Sequence, residues 1–156
     1  STFKEASKIY EQSRKYYDML KSVNSLVSGS LKVKESVLML SEISESYVTN
    51  YGKMLTDENY TQRELEAIAF GYNNIMKKSS ASVAGLKNII NPTGMSMTDK
   101  ERLDIINRIY GEVLEYKNLT WYYTRKNIGI SYLRSKKKGD SQRVLALYGT
   151  HEQRYW

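Results

Sequence analysis

Residues 61–101, TQRELEAIAFGYNNIMKKSSASVAGLKNIINPTGMSMTDKE, decide the fold of this chain. Two capping boxes begin at Thr61 and Thr98. In each box a glutamate three positions later, Glu64 or Glu101, exchanges hydrogen bonds with the threonine at a helix start. The string NPTG between the boxes contains a proline and a glycine, which are typical of a loop. The sequence therefore predicts a helix, a short loop and a second helix.

Apolar and small residues follow both boxes at intervals of three and four, the spacing of an amphipathic helix. The helix after the first box carries them at Leu65, Ile68, Tyr72, Ile75, Ser79, Val83, Leu86 and Ile90. The helix after the second box carries them at Leu103, Ile106, Ile109, Tyr110, Val113, Tyr116, Thr120 and Tyr123, with Ile130 and Leu133 extending the stripe. If the second helix runs unbroken to about Ser135, it is roughly 55 Å long.

The same spacing continues upstream, with one interruption at Ser28-Gly29-Ser30. Because glycine costs about 1 kcal/mol in a helix interior, this point is either a kink or a full break. No stretch alternates with period two, so we predict an all-α fold. We expect a single domain, an elongated antiparallel bundle of three long helices with a short C-terminal helix. Its parts are a first arm at 1–55, helices at 61–91 and 98–135, and a short helix with an aromatic tail at 140–156.

Composition limits the classes of protein to which this chain can belong. With 156 residues, 40% of them hydrophobic, the chain has the size of one domain. It has no cysteine, which excludes disulfides, thiolate catalysis and cysteine-based metal sites. The purely apolar runs, such as residues 37–40, are far shorter than the roughly 20 residues of a membrane helix. We therefore expect no transmembrane segment.

Positive charge is concentrated in residues 131–156, which hold six Lys or Arg against two acidic residues. The run Lys136–Lys138 directly precedes Gly139, as expected where cations complement a helix C-terminus. Contact with an anionic surface, either nucleic acid or a membrane, is the alternative. Its candidate residues are Lys136, Lys137, Lys138 and Arg143.

The last short helix is predicted to dock against something. Asp140 is expected to cap it, and Val144, Leu145 and Tyr148 share one face. A helix this short is unstable alone, so it must pack on the bundle or on a partner. Arginine and aromatic side chains are the usual anchors of protein interfaces. We therefore predict a partner-binding site at Tyr148, Arg154, Tyr155 and Trp156.

Fourteen tyrosines require an explanation, and we expect most of their rings in the core with the hydroxyls at its edge. The run Trp121-Tyr122-Tyr123 spans more than half a helix circumference, so at least one of these rings must leave the core stripe. Beside Arg125 and Lys126, an exposed ring suits either stacking on bases or a protein interface. The modest local charge favours the interface.

No residue pattern indicates catalysis, a cofactor or a metal. The single histidine, His151, has no partners at the spacing of a zinc site or of a catalytic base. The chain has neither a phosphate-binding glycine loop nor a nucleophile elbow. The acidic pairs lie at helix starts, or on a helix face without the histidine of a di-iron motif: Glu64/Glu66, Asp99/Glu101 and Glu112/Glu115. We predict a protein that is not an enzyme.

Four stretches together resemble a conjugal transfer protein family encoded in the transfer operons of Bacteroides-type conjugative transposons. They are SEISESYVTNYGKML (41–55), ELEAIAFGYNNIM (64–76), GMSMTDKERLDIINRIYGEV (94–113) and WYYTRKNIGISYLRSKKKGDSQRVLALYGTHEQRYW (121–156). The resemblance covers nearly the whole chain, and the last stretch is its most specific part.

This resemblance implies a non-enzymatic component of a conjugative type IV secretion apparatus. The family is similar to exported helical proteins and, more distantly, to TrbJ-like and VirB-type minor pilus subunits. It implies a place in the periplasm or cell envelope after signal-peptide removal, and no leader is visible at Ser1. Other transfer-apparatus proteins are the expected partners, self-association is open, and nucleic acid is disfavoured. The alternative is a cytoplasmic single-strand DNA-binding accessory of conjugative transfer.

Overall fold

A computed structural model describes residues 2–20, 30–90 and 97–149 of the chain. These ranges are helical apart from short connections, and they contain no strand. The helices are α1 (Thr2–Leu20), α2 (Ser30–Leu55), α3 (Gln62–Ala84), α4 (Lys87–Ile90), α5 (Asp99–Lys138) and α6 (Ser141–Tyr148). The predicted all-α class is confirmed. No helix within these ranges is long and apolar enough to cross a membrane.

Both predicted capping boxes start the helices α3 and α5. The Glu64 amide donates to Thr61 Oγ1 at 3.1 Å, and the Thr61 amide donates to Glu64 Oε1 at 2.9 Å. The box at Thr98 and Glu101 makes the same two bonds, at 3.1 and 3.2 Å. The helix predicted at 61–91 is shorter than expected. It ends at Ala84, where a turn leads into the single turn of α4.

Stacked tyrosines join α2 to α3. The rings of Tyr47 and Tyr72 are parallel, with centroids 4.6 Å apart, and both are almost fully buried. The Tyr51 hydroxyl donates to the Leu65 carbonyl at 2.9 Å, which places the end of α2 beside the start of α3. The two helices are therefore antiparallel. Of the eleven tyrosines whose burial the structure describes, five are buried: Tyr47, Tyr51, Tyr60, Tyr72 and Tyr148. Four more are partly buried against the core: Tyr110, Tyr116, Tyr123 and Tyr132.

The long helix α5 packs against both α3 and α2. The Tyr123 ring meets the Tyr72 ring edge-on, with centroids 5.0 Å apart, and the Tyr72 hydroxyl lies 2.6 Å from Thr124 Oγ1. Along α2, Lys117 of α5 forms an ion pair with Glu42 at 2.8 Å. Near the start of both helices, Lys32 Nζ donates to Asn107 at 2.7 Å. α5 thus runs parallel to α2 and antiparallel to α3.

The predicted first arm consists of two helices that lie side by side. Ala6 of α1 is fully buried, and Ser41 Oγ of α2 donates to Ser13 Oγ of α1 at 3.2 Å. One kinked helix could not make these lateral contacts, so the arm predicted at 1–55 is divided. Ser28 and Gly29 of the predicted interruption lie outside the described residues, and Ser30 begins α2.

The inner face of α5 changes from apolar to polar along its length. Ile106, Ile109 and Val113 are buried in the first half. The second half buries small polar residues: Thr120, Thr124, Asn127, Ser131 and Ser135. The predicted extension of the apolar stripe is wrong at Leu133, which is 53% exposed. At Asn127 and Ser131, α5 faces the polar connection between α2 and α3, whose buried groups need hydrogen-bond partners.

Candidate interaction site

A buried carboxylate, Asp57, connects three parts of the chain at one end of the molecule. It lies between α2 and α3, and its side chain is 0% exposed. It accepts hydrogen bonds from the Asn59 amide at 2.9 Å, from Ser131 Oγ of α5 and from the Tyr148 hydroxyl of α6 at 2.7 Å. Arg143 Nη2 lies 3.7 Å from Asp57 Oδ1, the oxygen that accepts from the Asn59 amide. We call Asp57, Asn59, Ser131, Arg143 and Tyr148 the Asp57 cluster.

The Asp57 cluster is a structural connection, because each polar group in it has a partner. Asn59 Nδ2 donates to Ser131 Oγ at 3.1 Å, and Lys138 Nζ donates to Asn59 Oδ1 at 3.0 Å. Burial, together with neighbouring Tyr60, raises the pKa of Tyr148, so its hydroxyl remains a hydrogen-bond donor. A buried charge that is paired and fully hydrogen-bonded resists opening, since removing one partner leaves the other unsatisfied.

A bidentate ion pair strengthens the same end of the molecule. Arg134 of α5 donates to both carboxylate oxygens of Glu64 at 2.9 and 2.7 Å, and to the Asn59 carbonyl at 2.7 Å. The hydrogen bonds from Arg134 and from the Thr61 amide lower the pKa of Glu64 to about 2. The capping glutamate therefore also fastens the start of α3 to the end of α5.

The short helix α6 docks on its own chain. Val144 is fully buried and Tyr148 is 5% exposed. The helix α5 ends directly before Gly139, as predicted, and Gly139 adopts the left-handed conformation at φ 77°. Asp140 is the N-cap residue of α6, as predicted, but its side chain makes no capping hydrogen bond. Its carboxylate instead accepts a hydrogen bond from Arg143 Nε at 3.0 Å.

The residues predicted for partner binding separate into two groups. The Tyr148 ring is buried in the chain and presents almost no surface to a partner. The other three, Arg154, Tyr155 and Trp156, lie outside the described residues.

The four candidate cations for an anionic surface do not act as a free set. Lys136 and Lys137 are exposed beside the end of α5. Lys138 donates to Asn59, and Arg143 pairs with Asp140 close to Asp57. Two of the four charges are therefore engaged within the chain.

Sequence reasoning missed Asp57 and Asn59, the centre of the buried network. They belong to the polar string TDENYT between two helices, a composition that usually indicates a solvated connection. No local pattern distinguishes a buried aspartate from an exposed one. The small polar residues at the inner positions of α5 were the available signal, because a buried serine or asparagine needs a partner.

The outer face of α5 is the most prominent exposed apolar surface on this helix. It consists of residues at helical spacing on the solvent side: Leu114, Glu115, Asn118, Leu119, Trp121, Tyr122, Arg125 and Lys126. Trp121 is 61% exposed, Tyr122 60% and Leu119 46%. The sequence predicted that at least one ring of the run 121–123 would leave the core, and two do.

Arg125 contacts the exposed ring of Trp121 at the centre of this face. Its guanidinium carbon lies 4.3 Å from the centroid of the Trp121 ring, the geometry of a cation–π contact. The large ring is therefore held against its own helix. An ordered, exposed tryptophan loses little rotamer freedom when a partner covers it, which favours binding.

One member of each acidic pair has a structural role in the described part of the chain. Glu64 and Glu101 complete the capping boxes, and Glu112 accepts from Ser82 Oγ at 2.8 Å and Arg108 Nη1 at 2.7 Å. The bond from Ser82 is the main reason that the pKa of Glu112 is lowered. Within residues 2–20, 30–90 and 97–149, no cluster of three acidic or histidine side chains could hold a metal ion.

Comparison with known proteins adds no relative to this description. No protein-family model matches the chain, and neither a curated protein nor a solved structure matches it.

Proposed function

We propose that this protein is a non-enzymatic component of a conjugative DNA-transfer apparatus and acts through protein contacts in the cell envelope. The observation that carries the proposal is the outer face of α5, where Trp121 and Tyr122 are both about 60% exposed. Tryptophan, tyrosine and arginine are enriched among the residues that dominate binding energy at protein interfaces. The resemblance of the four sequence stretches to the conjugal transfer family supplies the biological setting.

The proposal includes an elongated helical body that presents this face. At 1.5 Å per residue, the 40 residues of α5 span roughly 60 Å. α2 and α3 support its inner side, and the outer side is available along the middle of the helix. We propose that this rod-like arrangement displays the aromatic residues to other proteins of the apparatus.

Protein contact suits the outer face better than single-stranded DNA does. A groove that binds DNA combines stacking rings with several cations that follow the phosphate backbone. Here the ring of Trp121 is already covered on one side by Arg125, and Glu115 lies among the exposed residues. A fluorescence-anisotropy titration with labelled single-stranded DNA at low salt separates the two functions. Binding that weakens steeply as salt rises would support the DNA-binding alternative.

The experiment on this proposal measures transfer frequency in donor cells. We expect the double variant Trp121→Ala/Tyr122→Ala to lose most transfer while its helical content and melting temperature stay unchanged, because both rings are exposed. Leu31→Ala is the matched control, since Leu31 is 67% exposed at the start of α2. It should transfer normally. A chain that ends at Tyr148 tests the predicted contribution of the aromatic tail in the same assay.

Normal transfer by both the double variant and the shortened chain would exclude contact through either surface. Fractionation of cells that express the full gene supplies the second readout. Recovery in the periplasm or envelope agrees with the proposal, and recovery in the cytoplasm contradicts it.

A further inference from the structure

We infer that the outer face of α5 pairs with the same face of a second copy of this chain, with the two helices antiparallel. The inference rests on the proposed function, because it takes this face to be a protein-contact surface. Most soluble homo-oligomers are symmetric, and a two-fold dimer uses one self-complementary patch on both subunits. The outer face of α5 has the charges of such a patch.

Charge is strongly polarised along α5. From Asp99 to Glu115 the helix carries five acidic and three basic residues. From Tyr116 to Lys138 it carries seven basic residues and no acidic one. Two parallel copies would bring the basic halves together. An antiparallel pair brings each acidic half to the basic half of its partner.

The charges that remain unpaired lie where an antiparallel partner needs them. In the described part of the chain, Asp104 and Glu115 on the acidic half make no ion pair or side-chain hydrogen bond. The same holds for Lys126, Lys136 and Lys137 on the basic half. All five side chains are exposed. Complementary charges of this kind steer association and fix its register.

The register follows from a two-fold axis beside residues 120 and 121. Residues whose numbers add to about 241 then face each other across the dimer.

Glu115 meets Lys126 of the second copy, about 8 Å from the axis on each side. Leu119 meets Tyr122 next to the axis, and Asp104 meets Lys137 about 25 Å away. Lys100 lies beyond the end of the partner helix.

Local shape agrees with a helix seated on this face. Leu119, Trp121 and Tyr122 place apolar surface at the centre, and the charged pairs lie on either side. This is the apolar centre and polar rim of a protein interface. One turn before Glu115, a side-chain carbon added to Gly111 would meet nothing within 4 Å. The glycine leaves room for close helix approach at the edge of the contact.

Charge exchange tests the pairing on the whole protein. Sedimentation equilibrium should show that wild type self-associates and that Glu115→Lys and Lys126→Glu each raise the dimer Kd about tenfold, because each creates two like-charge pairs. The combined variant should return to within about threefold of wild type, because both attractive pairs are restored with opposite polarity. Lys78→Glu, on the exposed side of α3, is the matched control and should leave the Kd unchanged.

The absence of cysteine allows single-site labels to read the helix orientation. In Leu133→Cys, the nitroxides on the two copies should lie about 38 Å apart along the helix. In Lys100→Cys, they should lie about 60 Å apart. A parallel pair would bring both sets of labels close together. Asn118→Cys, next to the axis, should cross-link efficiently with a short bismaleimide.

Three results would overturn the inference: a monomeric wild type at submillimolar concentration, a combined charge variant that fails to recover, or short label distances at both positions. The transfer assay separates this inference from the proposed function. If Trp121→Ala/Tyr122→Ala blocks transfer while wild type remains monomeric, the contact surface stands and its partner is another protein. If wild type dimerises and the Trp121→Ala/Tyr122→Ala variant still transfers DNA normally, the pairing stands and the proposed function fails.

Discussion

Individual polar side chains decide how α6 is held against the rest of the described chain. The carboxylate of Asp57 is fully buried and accepts from Ser131 and Tyr148, which belong to α5 and α6. Apolar burial is non-directional, whereas these hydrogen bonds require particular atoms at particular positions. The docking of α6 therefore depends on a few polar groups as well as on the buried side chain of Val144.

We expect substitutions of Tyr148 and of Asp57 to lower the free energy of unfolding by different amounts. Tyr148→Phe keeps the ring and removes the hydroxyl that bonds to Asp57 and Tyr60, which should lower the free energy of unfolding by about 1–2 kcal/mol. Asp57→Ala leaves several buried donors and Arg143 without their acceptor, and should cost about 3–5 kcal/mol. Urea denaturation at neutral pH measures both values.

Glu45→Ala is the matched control, because Glu45 is an exposed acidic residue on α2. Its free energy of unfolding should change by less than about 0.5 kcal/mol. Equal stability of Asp57→Ala and wild type would show that the cluster contributes nothing. In the double variant Asp57→Ala/Tyr148→Phe, the cost should be less than the sum of the single costs, since both changes remove the same bond.

At the scale of the helices, the contact between α3 and α5 depends on a residue without a side chain. A side-chain carbon at Gly71 of α3 would lie 2.2 Å from the hydroxyl oxygen of Tyr123 and 2.5 Å from its ring carbon Cζ. The Tyr123 hydroxyl donates to the Ile68 carbonyl at 3.1 Å, so the ring is fixed in this position. Gly71 therefore allows α5 to lie directly on α3.

We expect Gly71→Ala to lower the free energy of unfolding by about 1–3 kcal/mol, because Tyr123 must move or the two helices must separate. Gly52→Ala is the matched control, since a side-chain carbon there meets nothing within 4 Å. That variant should gain about 0.5–1 kcal/mol from helix propensity. Thermal unfolding followed by circular dichroism compares the two. A Gly71→Ala protein as stable as Gly52→Ala would show that the close contact is unimportant.

The sequence could predict the helices where local chemistry determines them. Both capping boxes and the glycine that ends α5 act through neighbouring residues, so their signals are complete within a few positions. The inner face of α5 could not be predicted in the same way. Leu133 continued the apolar spacing, yet the polar connection between α2 and α3 selects Ser131 for the buried side. The division of the first arm also depends on contacts between α1 and α2 that local spacing does not contain.

For the candidate interaction site, the sequence predicted that a ring of the run 121–123 would be exposed, because one helix face cannot bury three consecutive aromatic residues. It could not predict that Tyr148 would be buried, since Tyr148 depends on Asp57, 91 residues earlier in the chain.

For the molecule as a whole, acid should weaken folding through the ion pair of Glu64 and Arg134. The pKa of Glu64 falls from 4.5 to about 2 in the folded chain, chiefly because Arg134 donates to its carboxylate. A carboxyl with a lowered folded pKa stabilises the protein above its unfolded pKa, and this contribution is lost as the pH falls through the folded value. The stabilisation that Glu64 supplies is therefore lost between about pH 4.5 and about pH 2.

We expect Glu64→Gln to be less stable than wild type at neutral pH and to lose less further stability across this window. The difference between the two free energies of unfolding should shrink steadily as acid is added. Urea denaturation at a series of pH values measures it. Glu66→Gln is the control, because Glu66 is exposed on the same turn of α3. A difference between wild type and Glu64→Gln that does not change with pH would show that Arg134 does not stabilise the charged form.

The position of Asp57 in the chain also determines when this end of the molecule can close. Its two side-chain donors follow it by 74 and 91 residues, so the contacts require the closure of long loops. During synthesis, α2 and α3 emerge together, while Tyr148 leaves the ribosome much later. Until then Asp57 has only water and its own turn as hydrogen-bond partners. α2 and α3 can therefore pair early, whereas the end that contains Asp57 stays hydrated until α6 has been synthesised.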